Sequence, residues 1–143
     1  MSPFWQAWFQ FWLVSMVLFA LLVAGGALPA TDAPLRMGLA LISMGPPTDL
    51  TPAGRFMIGV LGGVFLGWMV MLWLVIRQAI TMGPAGQPLW QAATIGILAW
   101  YALDSTLSVL TGFGLNVVPN TLALAMFLIG IAGSKAFARD ARG

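Results

Sequence analysis

The sequence contains no cysteine and no histidine. Without cysteine the chain has no disulfide, no thiolate nucleophile and no cysteine ligand for an iron–sulfur cluster. Without histidine it has no imidazole general base and no histidine ligand for zinc, haem or the magnesium of a bacteriochlorophyll. These absences argue against hydrolases, redox enzymes and cytochromes, so we expect the protein not to be an enzyme. Any cofactor that it contacts is expected to be bound without histidine or cysteine ligands from this chain.

Acidic and basic residues are both few. The four acidic residues are all aspartates, and lysine and arginine together number six. Sites for hard cations usually require several clustered carboxylates, so we predict no metal site. Nucleic-acid binding requires clustered positive charge on an accessible face, and these scattered cations predict no nucleic-acid partner.

Only 7% of the residues are charged, 60% are hydrophobic, and the mean hydropathy is +0.95. Soluble domains contain about 25% charged residues. A soluble fold of this composition would expose large apolar patches to water. The sequence therefore predicts an integral membrane protein in contact with lipid, with residues 1–143 forming a single membrane domain.

Four apolar runs have about the 20 residues that a helix needs to cross a bilayer. Turn-forming residues separate the later runs, at 82–86 and 112–116, and the pair Thr51–Pro52 is typical of a helix start. We predict an all-α protein, a four-helix transmembrane bundle. The predicted spans are residues 4–28, 52–77, 89–111 and 119–138.

The first loop, residues 29–51, is the only long connection between the predicted spans. Its apolar stretch Leu35–Met44 is too short to cross a membrane. Asp32 and Pro34 resemble a helix start, and Gly45 with two prolines after it is typical of a helix end. We predict a short interfacial or re-entrant helix on the outer side. It is either a partner contact or lid, or a simple surface connector.

Basic residues predict the orientation of the bundle. If the N-terminus lies on one side, Arg77 and the basic residues near the C-terminus share that side, whereas Arg36 and Arg55 lie on the other. The positive-inside rule then places both termini in the cytoplasm. The basic residues near the C-terminus are Lys135, Arg139 and Arg142. The lack of cysteine, glycosylation sequons and a targeting peptide predicts a bacterial inner membrane.

Tryptophans are concentrated near the predicted cytoplasmic interface. Trp5, Trp8 and Trp12 follow helical spacing in the first span, and Trp73 and Trp90 lie near the same level. Tryptophan is enriched where a membrane meets water. The pattern predicts an aromatic belt around that end of the bundle.

Small residues repeat at four-residue intervals in two of the predicted spans. Gly59, Gly63 and Gly67 form a glycine zipper in the second span, and Gly130 and Ser134 form a similar pair in the fourth. Small residues allow close helix–helix packing in membranes. The glycines predict either a tight contact within the bundle or a contact with another protein, a second copy, or a flat pigment or quinone.

One acidic residue, Asp104, lies deep in a predicted span. Polar residues follow at helical spacing on the same side: Tyr101, Ser108 and Thr111. A carboxylate in the membrane is costly unless donors compensate for lost hydration. Two interpretations stay open: a polar clamp between helices, or a site for a transported ion or a ligand. In both, Asp104 faces the bundle or a partner and not lipid.

Two asparagines, Asn116 and Asn120, flank Pro119 at the start of the fourth predicted span. Asparagine is a favoured N-cap residue and proline fits the first helical turn. We expect the asparagines to cap this helix. The alternative is that they form a polar mouth leading to Asp104.

The sequence favours a non-catalytic accessory or assembly subunit that packs against a larger membrane complex, of respiratory or photosynthetic type. Its expected partners are membrane lipids and other integral membrane subunits or further copies of itself, with non-covalent lipid, quinone or carotenoid contacts left open. The alternative is a small oligomeric transporter or hydrophobic-ligand binder that uses Asp104 as a protonatable site. Small multidrug-resistance transporters also have four spans, but their essential acid is a glutamate in the first helix, which here has no acidic residue.

Overall fold

The computed structural model describes residues 1–137, and within this range the chain forms helices and turns without any strand. The α-helices are α1 (Pro3–Gly25), α2 (Ala33–Ser43), α3 (Pro52–Met82), α4 (Gln87–Leu110) and α5 (Val117–Ser134). Short 3₁₀ turns at Gly83–Gly86 and Gly114–Asn116 precede α4 and α5. Arg139 and Arg142, and the predicted end of the last span at Ala138, lie outside the described residues.

Three helical stretches among these residues are long and apolar enough to cross a membrane: Pro3–Gly25, Pro52–Leu110 and Gly114–Ser134. This confirms the all-helical class and the apolar character predicted from composition. The middle stretch has 59 residues because it contains both α3 and α4. A stretch of this length can form two adjacent helices joined by a turn.

The chain reverses between α3 and α4 at Gly83. This residue has φ +59°, a conformation that glycine adopts without steric cost. After Pro84, Gly86 packs directly against the backbone of Ala79. The predicted break is confirmed, but α3 continues five residues past its predicted end at Arg77, because the first residue that leaves helical geometry is Gly83.

The short helix predicted in the first loop is present as α2. It ends at Met44, which adopts a left-handed conformation with φ 54°. Asp32 precedes the helix but makes no side-chain cap. Its carboxylate accepts a hydrogen bond from Arg55 Nη2 at 2.7 Å instead. At the start of α3 the predicted N-cap is confirmed, since Thr51 Oγ1 accepts from Gly54 N at 3.0 Å.

Successive long helices run antiparallel to each other. On α1, Trp8 and Trp12 donate hydrogen bonds to the carbonyl oxygens of Met126 and Ala123 on α5, so the residue order reverses across the pair. The same reversal relates α3 to α4, since one contact joins Ala79 to Gly86 and another stacks Trp68 near Trp100. The start of α1, the α3–α4 turn and the end of α5 therefore share one end of the bundle.

The apolar core lies towards this shared end. Phe9 packs against Trp90 with ring centroids 4.9 Å apart, and Trp12 packs against Phe127 at 5.3 Å. Burial of large aromatic rings stabilises the contact of α1 with α4 and α5. The buried core residues are Phe9, Trp12, Leu13, Met69, Leu72, Ile76, Ala79, Trp90, Ala93, Ile97, Phe127 and Ile131.

The prediction of an aromatic belt at the membrane interface is wrong for two of the five tryptophans. Trp12 and Trp90 are each only 2% exposed and belong to the core. Trp12 can be buried because its indole N–H donates to the Ala123 carbonyl at 2.9 Å, which removes the cost of leaving water. Helical spacing places tryptophans on a face but does not say whether that face meets lipid or protein.

Of the three predicted zipper glycines, one packs against α1 and two do not. The closest approach of α1 to α3 is at Gly62, where an added Cβ would lie 2.5 Å from backbone atoms of Ala24. Gly59 also faces α1, with an added Cβ 3.2 Å from that of Ala27. A Cβ added at Gly63 or Gly67, by contrast, would meet nothing within 4 Å beyond its own stretch of helix. The tight intrachain contact therefore uses Gly59 and Gly62, an i, i+3 pair that contains one of the three predicted zipper glycines.

In α5 the predicted small-residue pair is half correct. A Cβ on Gly130 would lie 2.8 Å from Phe9 of α1, so this glycine is a packing site. Its companion against α1 is Gly133, which Trp5 covers directly, and not Ser134. Ser134 instead bonds its own helix, donating to the Ile131 carbonyl at 3.3 Å. The structure therefore replaces the i, i+4 pair by an i, i+3 pair.

Candidate functional site

Asp104 is the centre of a polar cluster between α4 and α5. Its Oδ1 atom accepts three hydrogen bonds, from Ser108 Oγ at 3.1 Å and from the Nδ2 atoms of Asn116 and Asn120 at 2.9 Å each. An ionised carboxylate only accepts hydrogen bonds, and three donors on one oxygen fit that requirement. Asp104 is half-buried, and it lies six residues before the end of α4, about 9 Å along the helix axis.

The chain reversal after α4 brings these residues together. The turn passes through Gly112, whose φ of +86° favours glycine, and through the following 3₁₀ turn. Asn116 and Asn120 are four residues apart and so lie on one side of the first turns of α5. They also bond the serines of α4: Asn116 donates to Ser108 at 2.9 Å, and Asn120 donates to Ser105 at 3.3 Å.

The expected capping role of the two asparagines is wrong. Asn116 occupies the N-cap position of α5, but its side chain makes no capping hydrogen bond. Both amides point to Asp104 instead, as the alternative hypothesis stated. The carboxylate competes successfully for these donors because a hydrogen bond to a charged acceptor is stronger than one to a neutral group.

Two of the predicted polar neighbours do not bond to Asp104. The Tyr101 hydroxyl pairs with Thr121 Oγ1 of α5 at 2.9 Å, which makes it a second link between these helices. Thr111 Oγ1 donates to the Leu107 carbonyl at 2.7 Å, within its own helix. Of the predicted set, only Ser108 contacts the carboxylate, and sequence spacing along α4 missed the donors contributed by α5.

A cavity of about 480 Å³ lies beside the cluster, between α2 and α4. Its polar lining comes from Asp104, Ser108, Thr111 and Asn116. Its apolar lining comes from Leu39, Ile42, Trp100, Leu103, Leu107 and Phe113. We call this cavity the Asp104 groove, because exposed side chains of α4 leave it open along one side.

Two ion pairs hold the first loop in place at the same end of the bundle as Asp104. Arg55 Nη2 contacts Asp32 Oδ2 at 2.7 Å, and Arg36 Nη2 contacts Asp49 Oδ1 at 2.7 Å. Arg36 Nε also donates to the Thr48 carbonyl at 3.0 Å. These pairs join the start of α2 to the loop that follows it and to the start of α3. Among residues 1–137, the ion pairs involve Asp32 and Asp49 and not Asp104.

The outward side of α3 forms a regular apolar surface. Its residues are exposed, and successive members are alternately four and three residues apart, the spacing of a helix-packing seam. Two adjacent members are the glycines without a neighbour, Gly63 and Gly67. We call this surface the α3 seam; it comprises Phe56, Val60, Gly63, Gly67, Val70 and Leu74.

Within the described part of the chain, no group of three or more histidine, cysteine or acidic side chains is close enough to hold a metal ion. Comparison of the chain with protein-family models, with curated proteins and with solved structures gives no match. The two candidate functional features of the described residues are the Asp104 groove and the α3 seam.

Proposed function

We propose that α1, α3, α4 and α5 are four membrane spans, with α2 at the outer interface. The antiparallel packing of successive helices supports this arrangement. Arg77 and Lys135 are exposed at the end that contains the chain N-terminus, whereas Arg36 and Arg55 at the opposite end are each paired with an aspartate. Under the positive-inside rule the N-terminus and the end of α5 are cytoplasmic. The membrane would be a bacterial inner membrane.

We further propose that the protein is a non-catalytic accessory or assembly subunit that packs against a larger membrane complex. The observation that supports this most is the α3 seam, where Gly63 and Gly67 face open space. Apolar side chains gain little by leaving lipid for one another, so helices associate in membranes through close backbone approach. A glycine in a helix interior also costs about 1 kcal/mol relative to alanine.

The contrast with Gly62 strengthens the argument. Gly62 already provides the close approach between α1 and α3, so the fold does not require the other two glycines of the same stretch. A partner helix seated on the α3 seam would use them in the same way as α1 uses Gly62. The partner would be a helix of a respiratory or photosynthetic complex, and the other subunits of that complex would ligate any cofactor. A quinone or carotenoid lying flat on the glycines is also compatible with the seam.

The test is purification of the tagged full chain from its native membrane in mild detergent, followed by mass spectrometry of the co-eluting proteins. We expect a larger complex in stoichiometric amount with the unaltered chain. Gly63→Leu fills the seam and should lower recovery of the partner about tenfold. Gly96→Leu is the matched control, because Gly96 on α4 is also exposed with open space above it.

Equal recovery of the same partners with Gly63→Leu and with the unaltered chain would contradict the accessory role at this surface. The purified variants should first be compared by circular dichroism, since a misfolded protein would lose partners for a trivial reason. Gly63→Leu is expected to keep its helix content, because a Cβ at this position meets nothing within 4 Å beyond its own stretch of helix.

The Asp104 groove favours a second candidate function, a small oligomeric transporter or hydrophobic-ligand binder. A carboxylate at the side of an apolar cavity is a typical arrangement for a ligand or ion site. In a transporter, Asp104→Asn would abolish flux while insertion and folding stay normal. In an accessory subunit the same variant would be tolerated, or it would lower partner association and stability and not flux. A homo-oligomer without other partners in the purification would favour this second candidate.

A further inference from the structure

We infer that the Asp104 groove binds a lipophilic ammonium ion: a molecule with an apolar chain and a positively charged head that donates N–H hydrogen bonds. The head would bind the Asp104 carboxylate, and the chain would lie along the apolar side of α4. This inference rests on the second candidate function, ligand binding at Asp104, and not on the accessory role, because the groove and the α3 seam use different residues.

The charge balance at this end of the bundle supports a cationic head. All donors to Asp104 within residues 1–137 are neutral, and all of them bond to Oδ1. The two arginines nearby in the fold are already paired: Arg55 with Asp32, and Arg36 with Asp49. The negative charge of Asp104 is thus not balanced by a described cation of the chain, and Oδ2 is the atom left to accept from a ligand.

The chemistry of the surrounding groups favours an ammonium ion over a metal ion. The side chains nearest Oδ1 direct amide and hydroxyl donors at it, whereas a hard metal ion needs several oxygen ligands. An ammonium ion needs only acceptors, and a carboxylate oxygen forms a strong charge-assisted hydrogen bond with it.

The walls of the groove support an apolar chain on the ligand. Leu39 and Ile42 of α2 face Leu103 and Leu107 of α4 across it, and Trp100 lines it one helical turn from Asp104. The groove has a volume of about 480 Å³ and is open along one side, so an alkyl chain can lie along its apolar walls. A small hydrated cation would leave these apolar walls without contact, whereas an amphiphile contacts both the walls and the carboxylate.

The test uses the purified full chain in detergent and native mass spectrometry, with dodecylammonium as the probe and dodecanol as its neutral counterpart. Asp104→Asn removes the charge but keeps the oxygen that accepts the three hydrogen bonds. We expect this variant to bind dodecylammonium about tenfold more weakly than the unaltered chain. Its dodecanol binding should not change, and circular dichroism should show the helix content of the unaltered chain.

A second variant tests the groove itself. Leu39→Trp places a large side chain in the groove from α2, and it should weaken binding of both probes about equally. An ammonium head could also belong to a bilayer lipid, so phosphatidylethanolamine is added as a competitor. If phosphatidylethanolamine displaces dodecylammonium from the unaltered chain but not from Asp104→Asn, the natural ligand is the lipid. If it displaces none, the natural ligand is a free amine.

Two results would overturn the inference. One is dodecylammonium binding by Asp104→Asn that is within twofold of the unaltered chain, which would show that the carboxylate does not hold the head. The other is unchanged binding by Leu39→Trp, which would show that the probe binds elsewhere.

Discussion

The two sides of α3 contain the same kinds of residues, yet only one side packs against another helix of the chain. On the inward side, Gly62 touches the backbone of Ala24, and α1 packs along the helix. On the outward side, Gly63 and Gly67 face open space within an exposed apolar surface. Composition alone therefore does not distinguish a glycine that the fold requires from one that is available to contact a partner.

The largest effect on folding is expected for Gly62→Ala. The new Cβ would lie 2.5 Å from the backbone of Ala24, and a backbone cannot rotate away as a side chain can. Overpacking of this kind should lower the free energy of unfolding by about 3 kcal/mol. Denaturation of the purified protein in micelles, followed by circular dichroism, measures it. Stability equal to that of the unaltered chain would mean that α1 and α3 are not in close contact there.

A smaller loss is expected for Gly130→Ala in α5. Its Cβ would lie 2.8 Å from Cζ of Phe9, a ring that is only 1% exposed and therefore has little room to move. Because a side chain and not a backbone must shift, we expect a loss of about 1–2 kcal/mol. The same micelle denaturation checks it, with Gly62→Ala as the reference. A loss larger than that of Gly62→Ala would reverse the proposed order.

The smallest effect is expected for Gly63→Ala. The new Cβ would meet nothing within 4 Å beyond its own stretch of helix, and alanine is the better helix former. The isolated protein should be as stable as the unaltered chain, or more stable by up to about 1 kcal/mol. A clear loss of stability in this assay would show that the outward side is packed within a single chain, contrary to the structure.

The sequence was sufficient to predict the helices but not the contacts between them. Apolar runs and turn residues located α1 to α5, including the short helix in the first loop, because each signal is local. The register of the glycines was missed because a helical repeat fixes a face and not the neighbour that covers it. Gly62, which has no place in the four-residue repeat, makes the closest approach to α1, and of the repeat itself Gly59 also packs there.

The polar cluster shows the same limit. Asp104 was recognised because a single acid in an apolar run stands out, and Ser108 because it lies one turn further along α4. The donors Asn116 and Asn120 were assigned to helix capping, since their contact with Asp104 depends on how the chain turns at Gly112. Tyr101 has the correct spacing, yet it contacts α5 at Thr121 instead.

We propose that the α3 seam faces a partner protein, and photo-crosslinking in the native membrane tests this claim. A photoreactive amino acid is placed at Val70 in the seam and, for comparison, at Ile95, which is exposed on α4. We predict a discrete crosslink to another protein from position 70 and lipid adducts from position 95. Lipid adducts alone from position 70 would contradict the claim.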